Sequence, residues 1–171
     1  FAVYLSTVIS GFIGLYLTRT IPAQLARVGE EVLYERIPAL RLHVQRKASE
    51  GVLESVTASG ATTLADFYVA RLYDFFQRPR GVRYFLRPTT ALRRGLMGEM
   101  QNLRRYLCEP ELTSCERLFS LVRRKDDLDF HAARQGLLKI WLFIHIGLTY
   151  ALVMLAVFHG LTALAFRGGG L

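Results

Sequence analysis

Two histidines, His145 and His159, are the residues of this chain best placed to do chemistry. Both lie in residues 140–166 (IWLFIHIGLTYALVMLAVFHGLTALAF), 27 residues without an Asp, Glu, Lys or Arg. An ionisable side chain at membrane depth is costly, and for that reason is a functional candidate. Fourteen residues separate the pair. That is just under four turns of α-helix, so the rings point within roughly 40° of each other and stand about 21 Å apart along the axis. Imidazole is a common axial ligand of haem iron. Two imidazoles so spaced suit two haems stacked across a bilayer, with His145 on the cytoplasmic side and His159 on the outer side. The same face carries Leu148, Thr149, Leu152, Leu155 and Ala156, with Gly147 and Gly160 close by. Small residues leave room for a flat macrocycle. In the plainer reading they only let helices approach, and the histidines hydrogen-bond to a neighbouring helix.

The elements that must position this pair are membrane helices. At 1.5 Å per residue the 140–166 run makes roughly 40 Å of helix, more than the ~30 Å hydrocarbon core of a bilayer. Lys139 and Arg167 bound it. Residues 1–17 (FAVYLSTVISGFIGLYL) are also uncharged, at the short limit for a span. The chain starts at Phe1 rather than Met, which predicts a natural N-terminus upstream. Arg19 follows the apolar run, where a secretory signal would place its charge before it. Ser6, Ser10 and Gly14 recur every four residues, a small-residue ridge of the kind used in close membrane-helix packing. The second span is its simplest partner.

On the His-x13-His pattern within one apolar helix, the chain resembles the b-type di-haem membrane cytochromes: quinol-oxidising cytochrome b, cytochrome b561-like and ferric-reductase-like proteins. The resemblance covers only the final helix. It implies two b haems, with His145 and His159 as the iron ligands, and electron transfer across the bilayer as part of an oxidoreductase complex rather than as a stand-alone enzyme. It also implies opposite axial ligands from a second histidine-bearing helix, and this chain carries no such helix. The sources left are an upstream helix, another membrane subunit, or a second copy in a parallel two-fold pair.

The rest of the chain differs sharply in composition. All 14 acids and 21 of the 22 basic residues lie in residues 18–139, and the formal net charge is +8. Arg19, Arg27, Arg123, Arg124, Lys125, Arg134 and Lys139 flank the inner ends of the two runs. By the positive-inside rule the connecting segment is cytoplasmic and both termini are outside, as in a bacterial-type inner membrane protein. The expected architecture is an all-α membrane protein. Residues 1–17 form one transmembrane helix, 18–136 a basic cytoplasmic helical domain, 137–167 the histidine-bearing helix, and 168–171 a tail.

Within the cytoplasmic segment the spacing predicts helices throughout. Pro22 fits a first helical turn, with Leu25, Val28, Val32 and Leu33 at helical spacing after it. Pro38 breaks or restarts the pattern, and a helix follows to about Ala58. Ser59-Gly60 reads as a turn. Thr63 to Asp66 reads like a capping box opening an apolar helix to about Gln77, which Arg78-Pro79-Arg80-Gly81 ends. Pro88 with Thr89 or Thr90 starts a helix to about Leu107. Thr113 and Glu116 read as a second capping box, before a short helix to Lys125. Asp126, Asp127 or Asp129 can cap the last helix, which then runs into the membrane.

Other candidates carry less. His131, fourteen residues before His145, stands in DDLDFHAARQG and reads as solvated or Asp-paired, although a third haem or a proton relay fits the same stripe. His43 reads as a surface histidine. Cys108 and Cys115 have no zinc or iron–sulfur spacing and read as loop or buried thiols. Arg78, Arg80, Arg83, Arg87, Arg93 and Arg94 interleave with Tyr84 and Phe85. With a membrane at hand, anionic lipid is a closer partner than nucleic acid. A docked acidic subunit, such as a cytoplasmic redox partner, or a merely solvated basic face are the other readings. The rival function is a haem-free membrane anchor or assembly subunit with a basic docking lobe.

Overall fold

The computed structural model describes residues 1–28 and 32–167. Among these residues it is all-helical, with no strand. The chain forms two compact units, Phe1–Arg27 together with Gly136–Leu171, and Val28–Gln135. The expected tail at 168–171 lies outside the described residues.

The first unit is a pair of apolar helices. Helix α1, Ala2–Ala26, passes through Arg19 and carries Pro22 inside it. Arg19 therefore does not end the helix, and Pro22 does not open a new one. Val32 and Leu33 are not helical, and Leu33 is extended. The run of helical spacing expected across 28–33 fails there, and Gly29, Glu30 and Glu31 lie outside the described residues. The last helix, α7, is a single element from Glu109 to Arg167. Both α1 and α7 are long and apolar enough to cross a membrane, with mean hydropathy of 1.2 and 2.2 in their best windows.

The second unit is a helical lobe with its own core. After a 3-10 turn at Tyr34–Arg36, α2 spans Ile37–Ser59 with Pro38 in its first turn, where its missing N–H costs no helical hydrogen bond. Gly60 closes α2 at φ 69°, a left-handed position that suits glycine, and its N–H donates to Val56 O at 2.8 Å. Then come α3 (Thr63–Phe67), a π-helical turn (Tyr68–Leu72), α4 (Tyr73–Gln77), α5 (Val82–Leu86), α6 (Ala91–Leu103) and a 3-10 turn at Arg104–Tyr106. Helix α5 and the π turn have no counterpart in the periodicity reading.

Ile37, Val44, Ala48 and Val52 of α2 share one buried cluster with Leu64, Leu72, Phe75, Phe76, Leu96, Met100 and the α7 residues Cys115, Leu118 and Val122. Tyr68 stacks on Phe76 at 6.1 Å, and Phe75 meets Phe76 edge-on at 5.3 Å. Several of these side chains are sealed from solvent, Leu64, Leu72 and Met100 among them. Truncating one to alanine costs about 2–5 kcal/mol through lost burial and the cavity left behind.

Three capping expectations change. Thr62, not Thr63, precedes α3, and its hydroxyl donates to Asp66 Oδ2 at 3.1 Å. The Leu64 N–H that a cap would satisfy donates instead to Glu111 Oε1 at 3.1 Å, from 47 residues away. Thr113 lies inside α7, its hydroxyl turned to Glu109 O at 3.4 Å. Asp126, Asp127 and Asp129 cap nothing, because α7 does not break there.

Candidate functional site

The candidate site in the helix pair is built where α1 meets α7. Ser10 and Gly14 are buried. Trp141 donates its indole N–H to Ser10 O at 3.0 Å, and His145 Nδ1 lies 3.1 Å from Ser10 Oγ. The Trp141 and His145 rings stack, with centroids 5.3 Å apart and planes 18° from parallel. A Cβ placed on Gly14 would overlap the Trp141 indole, and one placed on Gly11 would lie 4.0 Å from His145 Cε1. Gly14 beside Trp141 and Gly11 beside His145 make the two helices antiparallel. The ridge expected from Ser6, Ser10 and Gly14 thus meets the second span at two of its three positions. Ser6 is exposed, and Val3 and Thr7 are the better covered residues of that turn. The contact line advances by three and four residues alternately, as helices packing side by side require.

His145 is half-buried, and one ring nitrogen is committed to Ser10. Among the described residues its Nε2 has no hydrogen bond. His159 is exposed and its ring bonds to none of them. Thr149 and Thr162 turn their hydroxyls back to the His145 and His159 carbonyls, both at 2.8 Å. Such back-bonding satisfies a hydroxyl inside an apolar helix without a partner helix. Ala156 is exposed, and the positions where Gly147 and Gly160 would carry a Cβ are open. The arrangement joins His145 to Trp141, Ser10 and Gly14; it does not bring His159 to any of them. Trp141 escaped the sequence reading, although an aromatic four residues before a histidine on one helix face was a signal for it.

The donor set fits haem iron in one respect and leaves one requirement to be met from elsewhere. A metal-ligating histidine usually has its second nitrogen held by a hydrogen bond, which fixes ring orientation. Ser10 Oγ stands in that place for His145 Nδ1, and Nε2 would be the nitrogen to meet a metal when the ring donates from Nδ1. Each level of α7 carries one imidazole, so a haem there would need its second axial ligand from outside the described residues. Among those residues no group of three or more His, Cys, Asp or Glu side chains converges as a metal site.

The lobe holds a second constellation, of buried charge. Lys125 Nζ, almost fully buried, donates to Asp129 Oδ2 at 2.5 Å and to Arg78 O at 3.1 Å, and sits 4.8 Å from the Phe75 ring centroid. Arg41 reaches Asp129 at 2.6 Å, Arg80 reaches Asp126 at 2.5 Å and Asp129 at 3.3 Å, and Arg93 reaches Asp127 at 3.3 Å. The Arg80 guanidinium also lies over Tyr84 and Phe75, at 4.8 and 5.2 Å. Burial pushes the Asp126 carboxyl above its ordinary value against the pull of Arg80 and Arg93, and pushes Lys125 below its own against the pull of Asp129. The tyrosine hydroxyl of Tyr84 is driven up mainly by burial and then by Asp126. Two of the six arginines read as one basic face, Arg80 and Arg93, are thus spent on ion pairs inside the lobe.

His131 is buried rather than solvated or Asp-paired, 2% exposed with Nδ1 unpaired, and burial together with Arg124 lowers its pKa. His43 is exposed. Cys108 is exposed and Cys115 buried, both as free thiols. No family model matches the chain, and no curated protein or solved structure matches it.

Proposed function

We propose that this chain is a b-type cytochrome subunit of a membrane complex, passing electrons across the bilayer through two haems whose irons are held by His145 and His159. The supporting observation is the state of the two rings. One has Nδ1 tied to Ser10 with Nε2 left for a metal, and the other stands unpaired on an exposed, apolar helix face. A bare imidazole facing hydrocarbon is costly, and ligation removes that cost. Bound there, b haem would carry one electron at a time, while the protein fixes the irons, excludes water and tunes their potentials. Thr149, Ala156, Gly147 and Gly160 would leave the helix face low enough for the macrocycles. The opposite ligands would come from a preceding helix, another subunit or a second copy. In this proposal α1 and α7 are the membrane spans of a bacterial-type inner membrane protein, with the lobe cytoplasmic and the termini outside.

A second reading has a specific observation in its favour. The contacts of Ser10 with Trp141 and His145 already give His145 a structural task, as a clamp between two helices. A haem-free anchor or assembly subunit needs nothing more. The optical spectrum of the purified, reduced complex separates the two. A b-type spectrum that loses one of two haems in His145→Ala or in His159→Ala supports the cytochrome; lost assembly with no haem in the wild type supports the anchor.

A further inference from the structure

We infer that α5 is an interfacial foot of the lobe that binds anionic lipid headgroups, an inference resting on the reading of α1 and α7 as membrane spans. From Phe75 through Gly98 the chain has no acid and six arginines. Arg80 and Arg93 turn inward to Asp126, Asp127 and Asp129, and Arg78 pairs loosely with Asp74 at 3.5 Å. Arg83, Arg87 and Arg94 are left exposed with no ion pair among the described residues. Beside them stand large apolar side chains in water: Val82 is 77% exposed, Leu86 64% and Leu92 48%.

The segment is held from within. Tyr84 and Phe85 are the partly covered residues of α5, and Tyr84 lies against the Arg80 guanidinium, which is itself fixed by two aspartates. That anchoring turns Val82, Arg83, Leu86 and Arg87 outward together. Positions 82 and 86 are one helical turn apart and make an apolar stripe, with Arg83 next to it. Cations alone would fit any acidic partner. Cations beside bare aliphatic side chains fit a layer that is anionic at its surface and apolar beneath, which is the interface of an anionic leaflet. Each arginine favours such a surface by roughly fivefold.

The test uses the whole chain in nanodiscs. A nitroxide is placed at Leu86→Cys in a Cys108→Ser background, with Leu155→Cys on α7 as the reference. Collision rates with oxygen and with a polar nickel chelate are compared between neutral discs and discs containing phosphatidylglycerol. The expected result is a Leu86 label that gains oxygen access and loses nickel access in anionic discs, and reverts when Arg83→Glu and Arg87→Glu are added. A Leu86 label that stays water-exposed in anionic discs while the Leu155 label lies in lipid overturns the inference, leaves the membrane reading intact and gives the face to a soluble acidic partner. Equal protection in neutral and anionic discs overturns the headgroup assignment. Water exposure at both labels overturns the membrane reading and this inference with it.

Discussion

Ser10 is the residue on which the helix pair turns, because its carbonyl takes the Trp141 indole and its hydroxyl meets His145. Ser10→Ala keeps the first contact and removes the second. In the cytochrome account this frees the ring that should hold iron, so haem occupancy or the midpoint potential shifts, while secondary structure by circular dichroism stays as in the wild type. An unchanged spectrum and potential would count against Ser10 as the positioning group. Asp129 is the matching residue of the lobe, receiving Arg41, Arg80 and Lys125. Asp129→Ala leaves buried cations short of their partner and should destabilise the lobe by about 3–5 kcal/mol, read by chemical denaturation. His131 makes a pH prediction. Its folded pKa is lowered from 6.5, so below that pH the unfolded chain binds the extra proton more readily and stability falls. The contribution is fully present above pH 6.5 and is lost as pH drops toward the folded value. Melting temperature should fall more steeply in the wild type than in His131→Gln as pH is taken from about 7.5 to about 5.5; parallel slopes would show that His131 does not titrate there.

At the scale of elements, the packing of α1 on α7 depends on the absence of a side chain at Gly14. Gly14→Leu should expel Trp141 and loosen the pair, seen as a red-shifted and more quenchable emission from the only tryptophan of the chain. Unchanged emission would mean the helices do not pack through this line. In the lobe, Glu111→Gln keeps the shape but weakens the acceptor that serves Leu64 N, and a loss of about 1–3 kcal/mol is expected on denaturation. What the sequence made legible here followed the range of the forces. Pro38 and Gly60 act through their own backbone angles, and the limits of α2 could be read from them. Two of the three ridge positions, Ser10 and Gly14, were readable because small residues at four-residue spacing announce close approach, but the third was not, since Ser6 and Thr7 are both small and only the partner decides between them. Asp126, Asp127 and Asp129 looked like helix caps, as Asp commonly does by local signal. Their partners Arg41, Arg80 and Arg93 are distant in sequence, so nothing local showed that these carboxylates serve ion pairs rather than a helix start. Glu111 and Leu64 illustrate the same point: a cap delivered from 47 residues away leaves no local trace.

For the whole molecule, composition and structure agree on a division between an apolar helix pair and a charged helical lobe that lies between the two helices' apolar runs in the sequence. The lobe is stabilised by a buried cluster together with an internal ion network, and Arg83, Arg87 and Arg94, on and beside α5 and the start of α6, are exposed with no ion pair among the described residues. The helix pair is different: outside the Ser10–Gly14 line, almost all of α7 beyond residue 140 is exposed. So much bare apolar surface, including an unpaired His159, requires lipid, a cofactor or another helix to cover it. In the cytochrome account haem and its second ligand supply part of that cover. The most direct test is the reduced-minus-oxidised optical spectrum of the complex purified through this chain, together with haem content per chain. The account predicts a b-type spectrum with two haems per set of two α7 levels, reduced to one by His145→Ala or by His159→Ala in protein that still assembles. A correctly assembled wild-type complex with no haem would contradict it.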